Sequence, residues 1–356
     1  MSYLTLEAFF MRLSVIIPMY NVEQYVERCL RSLEEQDIPK DEYEIICIND
    51  GSPDDCRGVV TQLQSEFDNI VLIDQENQGV SMARNNGIDI ARGKYLLMVD
   101  PDDYVSHNIL GARLEFVEQF NLDIGFTGFI ILNEQGEEEF KYDPLYRKGR
   151  VLTGIEYYKE FRNSNIESRD PHRTVAIFFR RDFLNLHYLR YLPDIPYLED
   201  GELLPRAVCL SSKVMFINQP FYYRTTRPGS ATHSDLYYSD KARNGFIMAA
   251  NNLLQFRNEI CRHKEQKQFI NCYIVHFTVI SIISMGTLSY FRLYREMHNK
   301  LKTGPLRKLN TEGCSSLYKK MGNQYNVSMH WFYLNWLMFR IKRSLKIRFK
   351  RFSTFM

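Results

Sequence analysis

The stretch "YEIICINDGSPDDCRGVVTQLQSEFDNIVLID", residues 43–74, changes its hydrophobic pattern twice. "YEIICIND" (43–50) is a nearly continuous apolar run. "DDCRGVVTQLQSEF" (54–67) spaces its apolar residues as a helix does, and "NIVLID" (69–74) is apolar again. The pattern reads as strand, helix, strand. The alternation continues on both sides. "LSVIIP" (13–18) reads as a strand and "VEQYVERCLRSLEEQ" (22–36) as an amphipathic helix; "VSMARNNGIDIA" (80–91) reads as a helix and "KYLLMV" (94–99) as a strand. Continuous apolar strands separated by helices predict an α/β fold with a parallel sheet covered on both faces. Chemistry in such sheets gathers at the carboxyl ends of the strands, where Asp50 and Asp100 are both found.

From 121 to about 235 the pattern is mixed. "LDIGFTGFIIL" (122–132) and "KVMFINQPFYYR" (213–224) read as strands, with helices such as 155–162 between them. Beyond about 236 the chain reads as helical. The expected organisation is an extension over 1–10, a catalytic domain over 11–235 and a helical region over 236–356. The stretch 269–288, "FINCYIVHFTVISIISMGTL", is long enough to span a bilayer, but Asn271 and His276 interrupt it, so a buried core helix is expected.

With 45% hydrophobic and 25% charged residues in 356, the composition is globular, enough for one large domain and a smaller one. A net charge of +2 provides no field that would draw nucleic acid, and no such partner is expected. Seven cysteines are scattered with no C-x-x-C pair, which reads as reduced thiols in a cytoplasmic protein. The start, "MSYLTLEAFFMRLSVIIP", lacks the basic n-region and long apolar core of a secretory signal.

Four polar stretches are candidate sites, and each also has an ordinary structural explanation. "NDGSPDD" (49–55) is a strand-to-helix turn with Gly51 for the bend and Ser52 or Asp54 as N-cap, yet that leaves Asp50 unexplained. "NQGVSMARNNG" (77–87) leads a loop into a helix; its N–H groups and Arg84 suit a diphosphate, or Arg84 simply faces solvent. "VDPDD" (99–103) crowds three carboxylates that repel one another unless something positive sits there, and hard cations such as Mg²⁺ or Mn²⁺ take one or two carboxylates plus substrate phosphates. Alternatively, Asp102 and Asp103 cap a helix starting near Val105. A phosphatase nucleophile motif of the haloacid dehalogenase type is discounted, because that belongs at a first strand. "YLEDGELLPRAV" (197–208) places Glu199 and Asp200 at a helix start, as caps or as a general base.

Taken in order, "SVIIPMYNVEQYVERCLRSLEEQ", "EIICINDGSPDD", "ENQGVSMARNNGIDIARGKYLLMVDPDDY" and "YLEDGELL" resemble family 2 glycosyltransferases of the GT-A fold. The likeness is close over 11–105 and looser over 170–235, where "QPFYYRTTRPGSATH" (219–233) matches a further segment of the family. The resemblance implies a Rossmann-like mixed sheet and inverting transfer of a sugar from a nucleotide-diphosphate donor with Mn²⁺ or Mg²⁺. It implies that Pro18, Tyr20 and Asn21 line the nucleotide, that Asp50 reads a uracil ring, and that Arg84 and Asp100 lie by the nucleotide. By the same resemblance Asp102 is the direct metal ligand, Asp200 the catalytic base, Arg227 and Ser230 close over the diphosphate, and His233 is a further metal ligand of some relatives. Asp103 has no such role and is expected to start the next helix. Asn49 departs from the usual D-D-G-S form, and 106–195 matches weakly where the acceptor is met, so the acceptor stays open between a saccharide and a lipid-linked one.

No acid follows Glu312. Residues 331–352 place Leu334, Leu337, Met338, Ile341, Leu345, Phe349 and Phe352 on one helical face and seven basic residues on much of the remainder, with Trp331 and Trp336 near the start. That is the signature of a helix lying on an anionic membrane, or of a docked helix with a solvated basic face. The leading expectation is a metal-dependent glycosyltransferase of cell-surface polysaccharide synthesis, peripheral on the inner face of the membrane. The alternatives are a sugar-nucleotide nucleotidyltransferase, against which "PMYNVEQY" lacks the Gly-rich basic loop, and an inactive nucleotide-sugar binding module.

Overall fold

The computed structural model describes residues 11–143, 149–163, 173–226, 235–285 and 291–340. The chain divides into two compact units, Met1–Asp194 with Arg206–Ser230, and Ile195–Pro205 with Ala231–Met356. This differs from the expected boundary at 235 mainly by assigning 195–205 to the second unit.

The first unit opens as the alternating pattern predicts. β1 (Leu13–Met19), α1 (Glu23–Glu34), β2 (Tyr43–Asp50), α2 (Cys56–Gln64), β3 (Ile70–Gln75), α3 (Val80–Ile90) and β4 (Tyr95–Met98) follow in order. β1 pairs in parallel with β2 and β4, and β2 with β3, with Ile16 opposite both Ile46 and Met98. All seven residues of β1 and all eight of β2 are buried, as continuous apolar strands under helices must be. α2 is capped by Asp55, which accepts from Gly58 N–H, not by Ser52 or Asp54 as expected; those two side chains accept instead from the Asn21 and Glu23 N–H groups at the β1–α1 junction.

The chain then departs from the expected helix near Val105. A two-residue strand, β5 (Tyr104–Val105), comes first, and α4 (Leu110–Gln119) starts only at 110. β6 (Ile124–Leu132), β7 (Glu138–Tyr142), α5 (Gly154–Asn163), β8 (Ile177–Arg180), α6 (Arg181–Leu186), α7 (Asp200–Leu210) and β9 (Val214–Thr225) follow. The strand order is β3-β2-β1-β4-β8-β6-β9-β5, with β7 on β6. β8 runs antiparallel to both β4 and β6, β9 is parallel to β6, and β5 is antiparallel to β9. The sheet is therefore mixed, and its core is aromatic at the centre, with Phe129, Phe178, Phe179 and Phe221 nearly or fully buried.

In the second unit, α8 (Asp240–Glu259) packs on α9 (Lys264–Ile283), and α10 (Phe291–Thr303) and α11 (Ser316–Val327) complete the helices named so far. α9 is buried nearly all round, including Asn271, Thr278 and Ser281, as a central core helix should be. Asn271 accepts from Arg257 and donates to the Glu312 carbonyl, so its polar group is satisfied inside the core. Among the described residues no helix is long and apolar enough to cross a membrane. Residues 329–340 are also helical. They bury Met329, Phe332, Tyr333 and Leu337 and expose Trp331, Leu334, Met338 and Phe339. The expected single apolar face is thus split: Leu337 belongs to the packed side. All seven cysteines are buried.

Candidate functional site

Two turns at the carboxyl edge of the parallel strands hold the singled-out aspartates Asp50, Asp100, Asp102 and Asp103. The first follows β2. Gly51 adopts a left-handed φ of 62°, and a β-carbon there would lie 2.9 Å from the Asn77 backbone nitrogen. Only glycine lets the 49–52 turn approach the 75–79 loop so closely. Asp50, 3% exposed, ties the two together: Oδ1 accepts from Gln75 Nε2 (2.7 Å) and Gln78 N–H (2.8 Å), and Oδ2 from Gly79 N–H (2.8 Å). Asn49 donates to Asp74 (2.8 Å), and with Arg57 this holds the Asp74 carboxyl below the usual range. The amide at this departure from the D-D-G-S form thus has a structural partner. On the neighbouring strand, Pro18 is buried within β1, Tyr20 just beyond it is half-exposed, and Asn21, at a φ of 56°, donates its N–H to Ser52 Oγ (2.7 Å).

The second turn, Asp100-Pro101-Asp102-Asp103, closes with Asp103 N–H on the Asp100 carbonyl (3.0 Å) and has proline at the position β-turns favour for it. It lies two strands from the first turn, about 10 Å at ordinary strand spacing. Its three carboxylates are disposed in different ways. Asp100 Oδ1 accepts from Arg84 Nη2 (2.9 Å), and that buried guanidinium lies 5.2 Å over the Tyr191 ring. The positive group demanded by the crowding is thus, in part, the protein's own arginine. Asp102 is half-buried, and its carbonyl accepts from Arg28 Nη2 (2.8 Å) and Thr225 Oγ1 (2.6 Å). Asp103 does not start a helix. It is 3% exposed and accepts from Tyr222 OH (2.8 Å) and Thr225 N–H (2.8 Å). Burial, with Asp100 and Asp102 beside it, pushes its carboxyl well above the usual carboxylate range.

α3 presents Arg84 because Asn85 anchors the helix. Its amide donates to the Tyr191 carbonyl (2.8 Å) and accepts the Tyr191 N–H (2.8 Å). Arg28, Gln75, Tyr191, Tyr222 and Thr225 were not singled out from sequence. Tyr222 and Thr225 lie inside "QPFYYRTTRPGSATH" (219–233) and Arg28 inside "VEQYVERCLRSLEEQ" (22–36), which were the available signals.

Asp200, in the second unit, is the first residue of α7, where the helix dipole favours a carboxylate. Leu198, two residues before, has a left-handed φ of 63°. Glu202 is fully buried and accepts from Asn252 Nδ2 (2.6 Å), which gives it a structural role. Arg227, Ser230 and His233 lie outside the described residues. A cavity of about 480 Å³ opens at the opposite edge of the sheet, lined by Lys40, Tyr43, Glu44, Asn69 and Arg92 among others. Glu44 there is already paired with Arg92 (2.7 Å), so that cavity is not the candidate site.

Residues 14–186 match the model of glycosyl transferase family 2. The uncharacterized glycosyltransferase EpsJ of Bacillus subtilis is 33% identical over 219 residues, 62% of each chain. The match spans 31% and 20% of the next two curated relatives, so the chain covers less than two thirds of their length. The fold matches a crystal structure of S. aureus TarS 1-349 in complex with UDP-GlcNAc at a TM-score of 0.68 and 19% identity, over 93% of this chain and 92% of that one. It also matches the mannosyltransferase PcManGT of Pyrobaculum calidifontis, in complex with GDP-Man and Mn²⁺, at a TM-score of 0.51 and 14% identity, over 89% and 87%. These likenesses establish a GT-A fold.

Proposed function

We propose that the chain, whose residues 14–186 match the model of glycosyl transferase family 2, is a glycosyltransferase of that family and moves a sugar from a nucleotide-diphosphate donor, UDP by preference, to a hydroxyl of a saccharide or lipid-linked acceptor in cell-surface polysaccharide synthesis. The observation that carries this reading is the pair of aspartate turns at the carboxyl edge of the sheet, tied to the N–H-rich start of α3 and to buried Arg84. Pro18, Tyr20 and Asn21 line the nucleotide, Asp50 sets the loop that meets the base, and Arg84 and Asp100 lie by the diphosphate and ribose. The ligands of the two fold neighbours support a nucleotide-sugar donor.

A divalent cation, Mn²⁺ or Mg²⁺, fits the donor set at the D-P-D-D turn. Among the described residues no three or more acidic, histidine or cysteine side chains gather as a metal cage. Asp102, with Asp100 beside it, offers the hard oxygens of a site completed by substrate phosphates. When bound, such an ion offsets the charge that grows on the departing diphosphate. Arg84 holds a fixed positive charge against Asp100. Asp200 accepts the acceptor's hydroxyl proton as the acceptor oxygen bonds to the sugar's C1 and the C1–O bond to phosphate breaks, inverting that carbon. A panel of nucleotide sugars with Mn²⁺, read by nucleotide release, tests the reading. Turnover with a UDP-sugar, its loss with chelator, and at least a hundredfold loss in Asp200→Asn are expected. Wild-type turnover of Asp200→Asn would transfer the base role to Glu199 or another acid.

The protein also sits, in this proposal, against an anionic membrane on the cytoplasmic side. Trp331, Leu334, Met338 and Phe339 line the exposed side of the 329–340 helix, and the sequence that follows is basic. Flotation with anionic liposomes should weaken in a Leu334→Glu/Phe339→Glu variant; equal partitioning would remove the membrane contact.

A further inference from the structure

The end of β9 grips the D-P-D-D turn at four points. Tyr222 OH accepts the Asp100 N–H (3.0 Å) and donates to Asp103 Oδ2 (2.8 Å). Thr225 N–H donates to Asp103 Oδ1 (2.8 Å), and Thr225 Oγ1 to the Asp102 carbonyl (2.6 Å). Asp103 thus spends both carboxylate oxygens on this strand, and both peptide groups that flank the Asp100–Asp102 pair are held by it. Tyr222 is fully buried, and the same register stacks Tyr223 on Tyr104 at 4.7 Å with an 8° interplanar angle. Behind the turn, Cys29 Sγ lies 3.7 Å from the Asp100 carbonyl. Beside it, Arg28 donates to the Asp102 carbonyl and lies 4.8 Å from the Tyr104 ring centre.

We propose that Tyr222, Thr225 and Asp103 are positioning residues that set the direction of the Asp102 carboxylate toward a donor-bound divalent cation. The inference rests on the proposed function. The physical reason is that a turn of like charges opens unless its backbone is pinned, and a ligand held by supporting hydrogen bonds loses less freedom when it binds. Asp103 supplies the pin at the expense of burying a third carboxylate, which is otherwise the least comfortable group in the turn. Tyr222 and Thr225 are 119 and 122 residues from Asp103, so the device is made by the fold and not by the local motif.

The test is binding of Mn²⁺ with UDP to the full chain, followed by Mn²⁺ electron paramagnetic resonance and by calorimetry, alongside thermal melts. Tyr222→Phe keeps the buried ring and removes the hydroxyl; it should weaken Mn²⁺–UDP binding by roughly tenfold or more while the chain stays folded at the assay temperature. Thr225→Ser, which restores a hydroxyl, should bind near wild type, whereas Thr225→Val should resemble Tyr222→Phe. Tyr223→Phe, next on the strand but stacked on Tyr104, should bind within twofold of wild type and controls for loss of the strand itself. Unchanged affinity in a folded Tyr222→Phe, with Asp102→Ala abolishing binding, would overturn the positioning role and leave the proposed function standing. Absence of Mn²⁺–UDP binding by the wild type would overturn both.

Discussion

The two edges of the central sheet treat buried acids in opposite ways. At the amino edge Glu44, Glu34, Glu118 and Asp123 each have a basic side chain. Glu44, 2% exposed, takes Ser14 Oγ, the Arg92 N–H and the Arg92 guanidinium. Glu34 is paired with Lys40, Glu118 with Arg12, and Asp123 with Arg180, with Ser212 and Lys213 adding further donors to Asp123. At the carboxyl edge Arg84 pairs with Asp100, whereas Asp50 and Asp103 accept from neutral donors. Burial alone therefore does not mark a site in this molecule. What distinguishes the carboxyl edge is buried acid held largely by neutral hydrogen-bond donors, Asp50 by Gln75, Gln78 and Gly79 and Asp103 by Tyr222 and Thr225, at the strand ends where such folds bind ligands.

The comparison breaks first at Asp102. If the carboxyl edge serves catalysis, Asp102→Ala should lose a hundredfold or more in transfer, with a melting temperature close to wild type. A large loss of stability with little loss of transfer would place Asp102 with the structural acids. Next is Asp123. Burial acts to raise its carboxyl, but the Arg180 and Ser212 hydrogen bonds outweigh it and hold the group below the usual range. Arg180→Ala leaves that acid buried without its ion-pair partner and should cost about 3 kcal/mol in urea unfolding. The sign is that of a depressed acid: the stabilisation is present above the unfolded value near 4 and is lost as pH falls through the lower folded value. A smaller effect is expected at Arg92, whose side chain is largely exposed; Arg92→Ala should cost about 2 kcal/mol and leave transfer per folded molecule unchanged.

The least effect is expected in the helical unit. His298 stacks on His330 at 4.2 Å, and burial, then His330, holds its imidazole below the usual range. Its contribution to stability should be present above pH 6.5 and fall as pH drops through the folded value; His298→Gln should flatten that part of the profile between pH 7.5 and 5.5. A profile unchanged by the substitution would show that His298 remains solvated.

Most of the parallel half of the fold was legible because its strands are long apolar runs: β2 begins and ends where "YEIICIND" does. β5 was not, since two residues have no period, and only pairing with β9 makes Tyr104–Val105 a strand. The same distance hid the role of Asp103. Read locally, it was a spare acid before a helix; its partners arrive more than a hundred residues later. Asn85 and Tyr191 are a similar case, a buried amide that substitutes for backbone 106 residues away. Asp50 and Arg84 were visible because strand ends and helix starts are set by nearby sequence, whereas the support beneath them depends on the assembled sheet.

The burial of every cysteine has a practical consequence. A chain whose native thiols are enclosed is its own blank for thiol-directed labelling. One cysteine introduced at an exposed position such as Leu334 would carry a fluorophore with little background. That reporter would test directly for lipid contact, in the intact protein and in real time.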